Sequence, residues 1–304
     1  MTVSFDNRCR CLAAIVLGAV LAGCCCPNRP LDPPLQPIPS GPAPTVAQIA
    51  TRYNARVRRL ERFSATTEVQ VKGTDAAGAK VDESFDGVLK VERPAHLSMR
   101  GHKAGVDAFI LGSSDTQYWW IDLYNKPLSA RVGSHEGVGL GGPGASKFQL
   151  PMHPLDFIEL LGITPINPDP GASATTRWLG YGTVELTEPT RFGKRKIAVA
   201  FPSCNPLEVT LLDRDGRVTA HAELKEMEPV RVTDDAAAGA SVPTRLFVSL
   251  KTPALGDLNL IVKLYEPENK EMNPKLFDLR FLLENFGVEK EFSLDAPLEP
   301  TGGK

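Results

Sequence analysis

Apolar and polar positions change period once along this chain, and the change divides helix from sheet. After Thr45, Val46, Ile49, Tyr53, Val57 and Leu60 recur every three or four residues, the spacing of one apolar helical face, with Thr45 as N-cap. Arg52, Arg56 and Arg59 form a basic stripe beside it, with Arg58 and Arg62 close by. Such a stripe reads first as a solvated face, and second as an attraction for anionic headgroups. From Ser64 the period becomes two: Val69 and Val71, then Phe85, Gly87, Leu89 and Val91, then Leu97 and Met99. Further strands are expected at 107–111, 117–123 and 128–132, with turn residues at the spacing of a meandering antiparallel sheet. The glycine-dense stretch 133–146 breaks the pattern. Pro154 then opens a short apolar helix to Leu161, with proline in its first turn and Gly162 at its end. Strands resume at Thr175 and continue through Ile197 to Phe201, Leu207 to Leu211, Val218 to Leu224, Leu246 to Leu250 and Leu258 to Leu264. Asp213-Arg214-Asp215-Gly216 suits a hairpin turn. The apolar tail 277–286 docks as a strand or a short helix.

This pattern predicts a mainly β protein of about eleven or twelve strands in one antiparallel sheet. A sheet that wide does not stay flat; its twist curls it until it encloses space. The N-terminal amphipathic helix and the short apolar helix have the character needed to cap the concavity. Candidates for an apolar interior are Val69, Val71, Phe85, Leu89, Leu97, Met99, Trp119, Trp120, Phe157, Leu160, Leu161, Val199 and Phe201. The adjacent indoles of Trp119 and Trp120 point to opposite faces, so one of them faces the interior. The plainer alternative is that all these residues are core.

The first residues carry a different signal. Arg8 and Arg10 precede an apolar run, Leu12 to Leu21, which ends in Leu21-Ala22-Gly23-Cys24. The run would span only about 15 Å as a helix, half a bilayer core, and reads as an export signal. Leu-Ala-Gly-Cys resembles the bacterial lipobox, which implies cleavage before Cys24, lipidation of its thiol and acylation of the new amino terminus. An ordinary secretory signal is one alternative. A metal site at Cys24, Cys25 and Cys26 is another, but consecutive cysteines suit a tetrahedral site poorly and no CxxC pair exists. Cys9 and Cys11 would be discarded with the leader, and the pairing of Cys25, Cys26 and Cys204 stays open. Eight prolines between residues 27 and 44 rule out a helix and favour an extended spacer. The expected organisation is a leader at 1–23, a lipidated cysteine and spacer at 24–44, a β domain at 45–295 and a tail at 296–304.

Hydrophobic residues make up 42% of the 304, enough for a sizeable core, and a net charge of −2 gives no reason to expect nucleic acid. The chain lacks HExxH, GxSxG and GxxxxGK[ST], and its GxGxxG match at 139–144 contains a proline and opens no helix. The five histidines, His96, His102, His135, His153 and His221, are scattered, though His96 and His102 flank one strand and could share a metal or a proton. The expectation is a protein that is not an enzyme, with no metal and no cofactor beyond the covalent lipid on Cys24.

Three phrases carry a family resemblance: Tyr53-Asn54-Ala55-Arg56-Val57 in the long helix, Arg93-Pro94-Ala95-His96-Leu97-Ser98-Met99 at a strand start, and Tyr118-Trp119-Trp120-Ile121-Asp122-Leu123. With a proline-led helix interrupting the meander, the order of elements from Thr45 to Leu264 resembles the LolA/LolB-like group of lipoprotein-sorting and carrier proteins. That resemblance implies a half-open β-barrel capped by helices, with an apolar cavity for the acyl chains of lipids or lipoproteins. LolB-like members are anchored lipoproteins, in keeping with Cys24, and the absence of Asp at position 25 favours the periplasmic face of the outer membrane over the inner. The glycine-rich loop would act as hinge for the cap. Two other classes fit the same residues: a structural or assembly lipoprotein that holds an envelope protein, and an envelope hydrolase whose residues meet only in space.

Overall fold

The structure is a computed structural model, and it describes residues 41–74, 78–136, 152–169, 171–180, 182–232, 240–252 and 256–295. The expected leader, Cys24 to Cys26, most of the expected spacer, residues 137–151 with most of the glycine-dense stretch, and the tail 296–304 lie outside the described residues. The chain divides into Met1–Gln36 and Pro37–Lys304, and everything below concerns the second unit.

Two antiparallel meanders share one sheet. The first runs β1 (Arg62–Thr74), β2 (Lys80–Glu92), β3 (His96–Lys103), β4 (Val106–Ser113), β5 (Gln117–Asp122) and β6 (Ser129–Ser134). The second runs β7 (Thr175–Gly180), β8 (Thr183–Pro189), β9 (Lys194–Ala200), β10 (Asn205–Leu212), β11 (Val218–Pro229), β13 (Ser241–Thr252) and β14 (Gly256–Asn269). β1 and β14 join them, with Val69 opposite Val262 and Val71 opposite Leu260. Two short strands pair in parallel: β12 (Arg231–Val232) on β14 and β15 (Lys290–Ser293) on β6. The sheet is curved and unclosed, with β15 and β7 at its edges.

Among the described residues, fifteen strands therefore stand where the pattern predicted about eleven or twelve. β8, β12 and β15 are the additions. β8 alternates, with Val184, Leu186 and Glu188 buried, and escaped because its third inward residue is charged. β12 is two residues long, and β15 is exposed along its whole length, so neither carries an apolar period.

Both cap helices fall where expected. α1 (Val46–Val57) starts at a capping box in which the Gln48 N–H donates to Thr45 Oγ1 at 3.3 Å and the Thr45 N–H to Gln48 Oε1 at 2.9 Å. α2 (Pro154–Leu160) has His153 as N-cap and ends at Gly162, whose φ of +65° favours glycine. The tail helix is α3 (Leu279–Phe286), capped by Asp278.

Apolar clusters lie on both faces of the sheet. One large apolar cluster joins α1, α2 and the inward residues of both meanders; we call this the inner face. A smaller cluster on the outer face holds Ile110, Trp119, Ile121 and Ala130 under Leu279 and Leu282 of α3. Gly112 makes this possible, because a Cβ there would overlap the Trp119 indole.

Candidate functional site

The inner face is built from side chains that the strand period turns inward. Val69, Val71, Leu89, Leu97, Met99 and Val199 are buried, and Phe85, Trp120 and Phe201 pack against the same cluster half-buried. Phe109 links two of them, stacked on Trp120 at 4.2 Å and edge-on to Phe85 at 4.8 Å. Phe157, Leu160 and Leu161 come down on this surface from α2, and Ile49, Tyr53, Val57 and Leu60 from α1 and the turn after it. Trp119 is the exception among the candidates: it lies on the outer face beneath α3.

Polar contacts tie α1 to the end of α2. The Gly162 carbonyl accepts from Tyr53 Oη at 2.7 Å and from Arg56 Nη2 at 2.6 Å, while Arg56 Nη1 donates to Ser241 O at 2.9 Å. Asn54 exchanges two hydrogen bonds with the Ile166 backbone. Arg56 is thus not part of a solvated stripe. It is buried against the Tyr53 ring, 4.8 Å from its centroid, and burial holds its guanidinium below its usual range. Arg52 also has fixed partners, donating to Pro202 O and lying over the Phe201 ring.

α2 rests on ionisable groups the periodicity did not single out. Arg195 of β9, 3% exposed, bridges Glu159 of α2 and Glu188 of β8 and donates to Pro165 O at 3.0 Å. Burial works to lower its pKa, but the Glu159 and Glu188 carboxylates together outweigh it and hold the guanidinium above its usual range. Asp156, 5% exposed, has no partner for Oδ2, and burial followed by the Glu159 charge pushes its carboxyl up to about 8. Burial likewise raises Glu159, against the lowering effect of Arg195.

His135 and His153, 18 residues apart in sequence, meet at 3.3 Å between Nδ1 and Nε2. Neighbouring groups set their tautomers. The Leu155 N–H donates to His153 Nδ1 at 3.2 Å, so the His153 proton sits on Nε2 and points at His135 Nδ1. His135 then donates from Nε2 to Ser114 O at 2.8 Å. Both rings are neutral in this relay, and Tyr118 and Phe192 pack on it. Burial, then the His135 and Arg191 charges, lower His153 to about 3. His96 and His102 do not converge; His96 faces Asp115 and His102 faces Asp107. Among the described residues, no three His, Cys, Asp or Glu side chains gather as a metal site.

A cavity of about 200 Å³ opens beside α2, lined by Leu155, Asp156, Ile158, Glu159, Leu211 and Phe192 among others. None of the interior candidates named from the sequence lines it. The signal that could have found it is the acidic pair Asp156 and Glu159, three residues apart on an otherwise apolar helix.

The class that this architecture defines is a wide, open, curved antiparallel sheet with helices laid on its inner face. Among solved structures, the chain is similar to a LolA superfamily protein from Nitrosomonas europaea, at 11% identity and a TM-score of 0.49, over 79% of this chain and 100% of that one. It is similar to a domain provisionally named for outer membrane lipoprotein sorting, from Vibrio parahaemolyticus, at 12% identity and a TM-score of 0.48, over 78% of this chain and 97% of that one. A DUF1329 family protein from Desulfovibrio piger matches at 12% identity and a TM-score of 0.48, over 77% of this chain and 96% of that one. The first of these belongs to the group that the order of elements resembles. No protein-family model matches the chain, and no curated protein matches it.

Proposed function

We propose that this chain is a lipid-anchored, extracytoplasmic carrier, not an enzyme, that takes acyl chains of a lipid or lipoprotein onto its inner face. The observation that carries the reading is the way α2 lies there: Phe157, Ile158, Leu160 and Leu161 are buried on the sheet. An acyl chain would replace them. Uncovering four such side chains costs about 6–12 kcal/mol, at roughly 1.5–3 each. A chain of about fifteen methylenes gains about 12 kcal/mol at ~0.8 each. The exchange is near balance, as a carrier that must both load and release requires. Cys24 would hold the domain at a membrane, and the proline spacer would let it stand off from the headgroups. The test is titration of a fluorescent fatty acid into the full chain carrying Cys24→Ala. Saturable binding that Leu160→Trp weakens is expected; no binding would refute the reading.

A second reading has its own support. The interior is filled by side chains, and among the described residues β7 has no partner on its outer edge, with Leu179 40% exposed. Such an edge suits addition of a strand from an envelope protein. If this is the function, Leu179→Pro abolishes partner capture and leaves fatty-acid titration unchanged.

A further inference from the structure

The cavity beside α2 has a lining that the acyl-carrier reading does not use. Two of its three threonine hydroxyls have already committed their protons. Thr219 Oγ1 donates to Leu211 O at 3.3 Å and Thr164 Oγ1 to Ile158 O at 3.5 Å, so both turn lone pairs outward. Asp156 lines the cavity, and its Oδ2 is buried without a hydrogen-bond partner. Glu159 and Asp213 add two more acidic side chains, and exposed Arg191 is the one basic residue among the lining. Behind it, Arg195 bridges Glu159 and Glu188, so two carboxylates share one guanidinium. Acceptors line the cavity, and the carboxyls outnumber the guanidiniums. A buried acceptor without a donor costs about 1–3 kcal/mol, so an occupant rich in donors and positively charged is favoured. At about 200 Å³ the space holds a small molecule or one end of a larger one.

We propose that this cavity binds a primary ammonium group, with Asp156 as counter-ion and the threonine hydroxyls as further acceptors. A primary ammonium carries three N–H donors for three kinds of acceptor, and a short apolar stem would lie against Leu155, Ile158 and Phe192. A free small amine and the ethanolamine headgroup of a phospholipid share this chemistry.

The experiment is calorimetric titration of the full chain carrying Cys24→Ala with ethanolamine, choline and ethylene glycol. Ethanolamine should bind, choline should not, because its methyls replace the donors, and the uncharged diol should not. Asp156→Asn should weaken ethanolamine binding at least about tenfold. The unsubstituted site offers an independent readout: at neutral pH the amine displaces the proton that burial keeps on Asp156, so titrations in buffers of different ionisation enthalpy should show a proton released. Short-chain phosphatidylethanolamine and phosphatidylcholine form the lipid arm; preference for the former assigns the headgroup as source, and binding of free amine alone assigns a small molecule. Equal binding of diol and amine, unchanged affinity in Asp156→Asn, or no heat up to ~10 mM ethanolamine overturns the site. Fatty-acid titration of the same variant separates this from the carrier reading, which Asp156→Asn leaves intact.

Discussion

Positions 153 and 156, one turn apart at the start of α2, should pull stability in opposite directions as pH changes. His153 falls to about 3 in the folded chain, from an ordinary 6.5. The unfolded chain therefore binds its proton first, and stability is lost as pH falls below 6.5, by about 1.4 kcal/mol per pH unit. Asp156 rises to about 8 from 3.8. Here the folded chain keeps the proton, and stability is lost as pH rises above 3.8, at a similar slope, until pH passes 8. Between about pH 4 and 6.5 the two slopes cancel. The joint contribution of these two groups should hold level there and weaken from pH 6.5 towards 8. Asp156→Asn removes the falling limb, so its stability should climb by about 3 kcal/mol between pH 4.5 and 7 and then level. His153→Asn keeps an oxygen to cap Leu155 and removes the rising limb, so its stability should fall across the whole range. Glu159 shares the sign of Asp156 and is common to all three curves. Urea denaturation at half-unit pH steps, followed by circular dichroism, gives the curves. Parallel curves for the three proteins would refute the reasoning, since they would mean that neither side chain titrates differently on folding.

Arg195→Met should cost about 3–5 kcal/mol in the same assay, because it strands Glu188 and Glu159 without their cation. A loss under ~1 kcal/mol would mean water already reaches the pair. Leu160→Ala, at a fully buried position on α2, should cost about 2–5 kcal/mol and raise the protease sensitivity of the segment around α2. Gly112→Ala should cost about 1–3 kcal/mol and change the emission of Trp119, whose ring the new methyl would displace.

Periodicity made the elements legible. α1, α2 and twelve of the strands follow from residue spacing, because a half-buried helix or strand must place apolar side chains on one side of itself. The same spacing marks the inner-face residues, from Val69 and Leu89 to Leu160 and Val199. It could not assign Trp119 and Trp120 to their faces, since alternation gives two sides and not which of them the helices cover; the docking of α3 over Trp119 decided that. Arg56 looked solvated because its neighbours in sequence are basic, yet the Gly162 carbonyl and the Tyr53 ring, supplied from elsewhere in the fold, draw it inside.

The expected leader, the Leu-Ala-Gly-Cys tetrad and the run of prolines are local patterns, read from the sequence alone. It likewise determined a wide sheet with two helices to cover it. The contacts that give α2 its chemistry belong to tertiary structure alone. His135 meets His153, Arg195 joins two acids from different elements, and Asp156 is sealed beside a cavity only after the meanders close on each other through β1 and β14. Charge and protonation depend on what surrounds a group in space, and no spacing along the chain carries that information.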